Sequence, residues 1–351
     1  MTWRCPNIES GIVFYDNGVI RPCGVINWSY SKPVSETSNP DRFLDLYEKD
    51  GPPAECLNCT ELENANLSSR RSGALFIENG RINKKVKFLD FRNSNLCNAK
   101  CRFCGPQHSN KWSIELYNKN NLRHTDVSEY FDDIFTEDLI EIYFAGGEPL
   151  INEEHYRILN LLIDKGLSSN IKLQYSTNLS VLNFKGQDLV QLWKNFKHIL
   201  LLPSADGTEE TYNYMRSDLD WNVFKDNLFI CKEQFQVTIS VLYVLTNLNI
   251  WWMHRDLSWF KNNGFKVNPE LLHNPFDFSI SEIPEHLKAK AQECIEQSRE
   301  LINNDKTVEY FINKLQEPDS GSWKKHMATQ KLLDLRRKES MVDLLKSVGV
   351  A

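Results

Sequence analysis

Cys97-Asn98-Ala99-Lys100-Cys101-Arg102-Phe103-Cys104 follows the apolar run Val86-Lys87-Phe88-Leu89-Asp90-Phe91. The run reads as a strand, and the three cysteines sit on the loop after it. Thiolates so close in sequence can grip one small inorganic core, but three of them leave a four-iron cluster one ligand short. One iron then stays open to an outside ligand, by the logic that separates open catalytic zinc sites from closed structural ones. The bland alternative for the same residues is a zinc knuckle or a chance grouping of cysteines.

The spacing, with an aromatic residue before the last cysteine, resembles the signature of the radical S-adenosylmethionine (SAM) superfamily. That resemblance implies a [4Fe–4S] cluster on Cys97, Cys101 and Cys104 whose open iron takes the amino and carboxylate groups of SAM. It also implies a partial (β/α)6 TIM-type barrel. The chain itself points the same way. From Val86 onward apolar runs alternate with helical patterns, as parallel βα units do. The expected strands are Val86–Phe91, Ile140–Ala145, Ile171–Tyr175, Ile199–Pro203, Val237–Val244 and Phe265–Asn268. The expected helices are Glu153–Lys165, with Asn152 as N-cap and Gly166 as stop, then Gln187–Phe196, Glu209–Phe235 and Trp251–Asn262. The expected fold class is therefore α/β: a partial barrel over residues 76–275, a small cysteine-rich β-hairpin module over 1–75, and a helical region over 276–351.

In the N-terminal stretch, Asp16-Asn17-Gly18 between Ile12-Val13-Phe14-Tyr15 and Val19-Ile20 is a hairpin signal. Folding it brings Cys5 and Cys23 towards each other. A short helical pattern, Arg42 to Glu48, precedes Gly51-Pro52-Pro53 and then Cys56-Leu57-Asn58-Cys59. Cys5, Cys23, Cys56 and Cys59 make a plausible tetrathiolate site. The order Cys5, Gly18, Cys23, then Cys56 and Cys59 resembles the opening of the SPASM/twitch auxiliary-cluster domains. Here, however, it precedes the barrel, and the later cysteines of a full SPASM domain are missing. One auxiliary Fe–S cluster is thus implied, with structural zinc as the alternative.

An α/β barrel places its site at the C-terminal ends of its strands. Four consecutive expected strands finish in small, hydrogen-bonding or charged residues: Cys97 to Cys104, Gly146-Gly147-Glu148-Pro149, Ser176-Thr177-Asn178, and Ser204-Ala205-Asp206-Gly207. Gly146 and Gly147 let backbone approach a ligand closely. The resemblance assigns Glu148 to the ammonium of SAM. It assigns Ser176, Asn178, Ser204 and Asp206 to ribose hydroxyls or the amino-acid end, Arg216 to the carboxylate, and Phe103 to the adenine. The end of the fifth strand, with Val244 and Leu245, is expected at the adenine pocket. Cys231 and Cys294 lie inside helical patterns and read as packing, as do Trp251 and Trp252. His108, soon after the cysteine loop, reads as an uninvolved loop histidine.

The bulk numbers bound the rest. The chain has 351 residues, 41 Lys+Arg against 47 Asp+Glu, and a net charge of -6. Mild acidity disfavours a nucleic-acid binder. The basic segment Lys324 to Lys338 reads as a solvated helix face. No apolar run approaches a membrane span, and the first residues show no signal-peptide core. A cytoplasmic protein is expected, in which nine cysteines point to metal chemistry before disulfides.

The expectation is thus a radical SAM enzyme that generates a 5′-deoxyadenosyl radical and takes hydrogen from its substrate. The resemblance implies oxidative modification of a peptide, with the second cluster as electron conduit and an external flavodoxin- or ferredoxin-type reductant. A dehydrogenase of a small carbohydrate or metabolite is the first alternative, and a non-catalytic metal-binding scaffold the second.

Overall fold

Each of the six apolar runs from Val86 onward forms a strand, and all six lie parallel in chain order. The computed structural model describes residues 5–27, 29–47, 51–73, 85–272 and 274–350. Its strands are β1 (Gly11–Tyr15), β2 (Val19–Arg21), β3 (Lys32–Pro33), β4 (Phe88–Arg92), β5 (Glu141–Phe144), β6 (Lys172–Thr177), β7 (Asn183–Phe184), β8 (Gln187–Asp188), β9 (His198–Pro203), β10 (Val237–Leu245) and β11 (Lys266–Leu271). The main sheet runs β11-β10-β9-β6-β5-β4-β1-β2-β3. β7 and β8 pair apart as a two-stranded hairpin. The α/β partial barrel expected from the sequence is thus present, with a helical C-terminal region.

The N-terminal hairpin does not stand apart from this sheet. β1 pairs parallel with β4 from Gly11↔Phe88 to Tyr15↔Arg92, while β2 turns back antiparallel on β1. The cause is a ladder of aromatic side chains at one register. Phe14, Phe91, Phe144 and Tyr175 are successive partners, with ring centroids 5.3, 5.6 and 5.3 Å apart. Cross-strand aromatic pairs of this kind stabilise sheet register. Cys5, Ile8, Phe14, Cys23 and Cys56 belong to the same apolar core as Leu89, Ile142 and Leu173. The stretch read as a separate module therefore shares sheet and core with the barrel. The boundary drawn at residue 75 lies outside the described residues, as does Glu48 of the expected helix Arg42–Glu48, whose described part is a 3₁₀ turn at Leu44–Tyr47.

Two expected helices are shorter than their patterns. The pattern Glu209–Phe235 divides into Glu209–Met215 and Trp221–Lys232, because Asp220 caps the second by accepting from the Asn222 and Val223 N–H groups. The pattern at Gln187–Phe196 yields only Leu189–Trp193, since β8 takes its start. Helix Glu153–Asp164 begins as expected, with the Asn152 side chain accepting from Glu154 N. Helices Glu285–Gln297, Asp305–Gln316, Trp323–Arg337 and Met341–Ser347 follow β11. Several of them pack on a second core with Met215, Tyr243 and Leu245. Cys231 is fully buried in the first core and Cys294 is half-buried against the second, both as packing residues. Among the described residues no helix is long and apolar enough to cross a membrane.

Two buried histidines tie this packing to pH. His155 is 2 % exposed behind the aromatic ladder, where its Nε2 meets Tyr175 OH at 2.9 Å. Burial lowers its pKa to about 3 and that of His326 to about 4, against an ordinary 6.5. Below pH 6.5 the unfolded chain therefore binds protons that the folded one refuses. Stability from these residues is complete above pH 6.5 and falls as the pH drops towards 4. Each histidine contributes a slope of at most about 1.4 kcal/mol per pH unit. Urea midpoints at pH 7 and pH 5 should differ accordingly. His155→Phe should flatten that slope, and an unchanged slope would remove His155 from the account.

Candidate active site

All four polar strand ends foreseen in the sequence meet at one edge of the sheet, and the closeness is enforced by backbone. Gly147 N donates to Ser94 O at 3.0 Å and Glu148 N to Leu96 O at 2.7 Å, so the Gly-Gly-Glu turn rests on the start of the cysteine loop. A Cβ on Gly147 would lie 2.1 Å from Leu96 O, and one on Gly146, whose φ is +104°, 2.8 Å from Ser94 O. What approaches them is the chain's own backbone. Gly147→Ala must push the turn away from Leu96 and should cost at least about 2 kcal/mol, because neither partner is a flexible side-chain end. Thermal denaturation of the variant checks this; a melting temperature within error of the parent would contradict it.

The cysteine loop is braced on three sides. Cys97 N donates to Asn110 Oδ1 at 2.9 Å, Trp112 Nε1 to Cys101 O at 3.0 Å, and Arg102 N to Met215 O at 2.8 Å. Asn98 joins it to the end of β6, donating to Ser180 Oγ and accepting from Asn178 Nδ2, both at 2.8 Å. Cys97, Cys101 and Cys104 are all part-exposed free thiols. Burial raises all three pKa values, Cys104 to about 12, and each of Cys97 and Cys104 is raised further by Cys101. Cys101 is held back by the Arg216 guanidinium, whose Nη1 lies 3.6 Å from its sulfur. Three thiols that penalise one another's ionisation suit a polycationic core, which would hold all of them as thiolates.

Glu148 is buried beside them. Its Oε1 accepts from Leu150 N at 3.0 Å and Thr177 Oγ1 at 2.6 Å, and its Oε2 from Asn178 N at 2.6 Å. Burial raises its pKa to about 7 despite these donors. A carboxylate offers about four acceptor sites, so one remains for a cation, which would pull the pKa back down.

The other foreseen residues divide. Asp206, fully buried, accepts from Val244 N at 3.0 Å and pairs with Arg216 Nη2 at 2.7 Å. It positions Arg216. Burial raises its pKa, and the pairing with Arg216 opposes that. Asn178 is likewise spent on Asn98 and on Ser180 N, which its Oδ1 accepts at 3.0 Å. Ser176 Oγ bonds Tyr143 OH. Ser204 N donates to Thr177 O, and its hydroxyl has no protein partner among the described residues. Phe103 lies between Arg216, 5.9 Å from its ring centroid, and Phe278, at 6.5 Å. Thr177, Asn98 and Asn249 were missed. Asn249 donates to Asp206 O at 3.0 Å and Val244 O at 2.9 Å, tying two strand ends together. Thr177 alone carried a signal, since it stands inside a polar strand end already singled out.

Arg102 was also passed over. Its side chain is fully buried, 2.7 Å from Asp334 and paired with Glu339, with Tyr214 stacked 3.9 Å from its guanidinium. Arg337 donates to Lys100 O at 2.9 Å. The C-terminal helices thus clamp the cysteine loop.

Cys5, Cys23, Cys56 and Cys59 are all buried and line one pocket together with Arg70 and Arg71. Burial and the neighbouring Cys23 raise Cys5 to about 12, and burial, with Cys59, raises Cys23. The donor set fits a thiolate-bound metal group. Among the described residues no three His, Cys, Asp or Glu side chains converge as ligands of a single ion. A third feature is a cavity of about 350 Å³ between the β1–β2 turn and the strand ends. Tyr15, Asp16, Arg92, His108, Arg123 and Gly146 are among its lining residues. His108 lines this cavity, and burial lowers its pKa.

The fold and the cysteine loop together define an α/β barrel domain that carries three thiols at its strand ends. Residues 94–260 match the family model described as Radical SAM superfamily, and this span is a radical SAM domain. No curated protein matches the chain. Among solved structures it is similar to native anSMEcpe with bound AdoMet, at 20% identity over 66% of this chain and 64% of that one, with a TM-score of 0.46. It is also similar to Streptococcus suis SuiB bound to S-adenosylmethionine, at 13% identity over 76% and 58% of the two chains, TM-score 0.42. The same SuiB bound to precursor peptide SuiA gives 13% identity over 85% and 71%, TM-score 0.41. The chain thus spans less than two thirds of the length of the first two structures.

Proposed function

We propose that the chain is a radical SAM enzyme that oxidises its substrate, with a peptide as the leading substrate class. The observation that carries this is the cysteine loop resting on the Gly-Gly-Glu turn inside the radical SAM match. Cys97, Cys101 and Cys104 would hold a [4Fe–4S] cluster, which with SAM supplies a 5′-deoxyadenosyl radical able to take hydrogen from an unactivated carbon. The chain's own residues orient the cofactor. The free acceptor site of Glu148 receives an ammonium. Arg216, held by Asp206, presents its remaining N–H groups to a carboxylate. The Ser204 hydroxyl is left for a ribose or amino-acid oxygen.

Substrate is assigned to the cavity beside Gly146. Its size falls within the range of small-ligand sites, and its lining carries both signs of charge, with Arg92 paired to Asp90 and Arg123 to Asp16. Such a lining suits a polar peptide segment, and its volume equally suits a small carbohydrate or metabolite, which is the second reading. A substrate that loses a hydrogen atom, then an electron and a proton, is oxidised by two electrons. Cys5, Cys23, Cys56 and Cys59 would hold the iron–sulfur group that accepts that electron. We assign residues 1–75, 76–275 and 276–351 to auxiliary module, barrel and C-terminal clamp, in a cytoplasmic protein. Anaerobic reconstitution followed by SAM and dithionite should yield 5′-deoxyadenosine and about two clusters' worth of iron. No 5′-deoxyadenosine would leave the scaffold reading. Zinc in the N-terminal site would end the conduit role.

A further inference from the structure

Helix Trp323–Arg337 and the residue after it carry seven charged groups, of which six are basic, in a chain whose net charge is -6. Its single acid, Asp334, is buried against Arg102 and accepts from Tyr214 OH and Met341 N. At 100° per residue, Lys324, Lys325, Lys331, Leu332, Leu335 and Arg336 share one face, and all six are exposed. Leu332 and Leu335 are 67% and 73% exposed, so the face has an apolar centre within a basic rim. That is the layout of a protein-binding surface: apolar core, charged margin.

The opposite side of the same helix lies against the cysteine loop, where Arg337 donates to Lys100 O. Arg336 Nη1 reaches Glu115 O at 3.3 Å on helix Asn110–Tyr117, where Ile114 and Tyr117 add exposed apolar surface. Arg337 stacks 4.4 Å from the Trp112 ring centroid, and Trp112 Nε1 touches Cys101 O at 3.0 Å. From the buried side of this helix, Arg337 and then Trp112 lead to the first cluster site. Resting on the radical SAM reading above, we propose that the face is the docking surface for an acidic FMN protein of flavodoxin type, the one-electron donor to that site. The rim complements acidic side chains, and the two leucines offer a seat for the exposed apolar edge of a flavin. Oppositely charged surfaces steer such encounters and raise the association rate, more so at low salt.

The test compares full-length wild-type protein with the triple variant Lys324→Glu, Lys325→Glu, Lys331→Glu. The control is Lys306→Glu, on helix Asp305–Gln316. Flavodoxin hydroquinone should reduce the reconstituted triple variant at least about tenfold more slowly at low ionic strength, and the gap should close near about 0.5 M salt as screening sets in. Dithionite should reduce all three proteins alike. Leu335→Gln should weaken binding of oxidised flavodoxin severalfold with little salt dependence. Wild-type rates with flavodoxin in the triple variant, at normal iron content, would overturn the proposal. So would an effect seen only with an iron–sulfur ferredoxin or with an acidic peptide. Absence of 5′-deoxyadenosine from wild-type protein under dithionite strikes the radical SAM reading instead, and the binding measurement on oxidised flavodoxin still decides the surface.

Discussion

Alanine at any one of Cys97, Cys101 or Cys104 is expected to abolish 5′-deoxyadenosine formation, with a loss beyond the roughly 100-fold that outer-sphere changes cause. The three thiols sit on one braced loop, and no described residue near them offers a replacement donor. Glu148 and Arg216 beside them are already bonded, Glu148 to three N–H or O–H donors and Arg216 to Asp206. Alanine at Cys5, Cys23, Cys56 or Cys59 should behave differently. It should retain 5′-deoxyadenosine formation and lose the oxidised substrate, because those thiols surround a separate pocket. Product analysis by mass spectrometry, with iron counted in each variant, separates the two sets. Equal loss of 5′-deoxyadenosine from both sets would mean that the N-terminal cysteines serve the barrel's stability or share one site with the loop.

The second large effect is structural. Arg102→Ala removes a guanidinium with a fully buried side chain and leaves Asp334 buried without its cation. Breaking a buried pair from one side costs about 3–5 kcal/mol, mostly the penalty of the stranded charge. The loss should appear as a lower urea midpoint together with lower iron retention, since the same guanidinium joins Cys101's neighbour to the C-terminal helices. Adding Asp334→Asn should recover part of the stability, as groups in one network couple. The double variant should not recover iron retention, because the clamp on the loop remains open. Unchanged stability in Arg102→Ala would show that the C-terminal helices merely lie against the loop.

What could be read without coordinates was whatever depends on neighbours along the chain. The six strands show themselves because each is an apolar run bounded by turn residues. The cysteine loop shows itself because three soft ligands at short spacing have few other uses, and the strand ends because polar residues there break the apolar rhythm. Partners that come from far away could not be read this way. Asp206 and Asn178 bond Arg216 and Asn98, neither of which is close to them in sequence. Gly147 signals close approach correctly, yet what approaches is Leu96.

The sequence by itself determined the parallel strands of the barrel and the cysteine loop, because periodicity and residue spacing are local properties. Only the tertiary structure decided that the N-terminal hairpin extends the barrel sheet and that the last helices grip the cysteine loop. The reason is the same in both cases. Phe14 finds Phe91 across 77 positions, and Arg102 finds Asp334 across 232. Pairing at such separations is chosen by burial and charge in the folded molecule, and no stretch of sequence carries it alone.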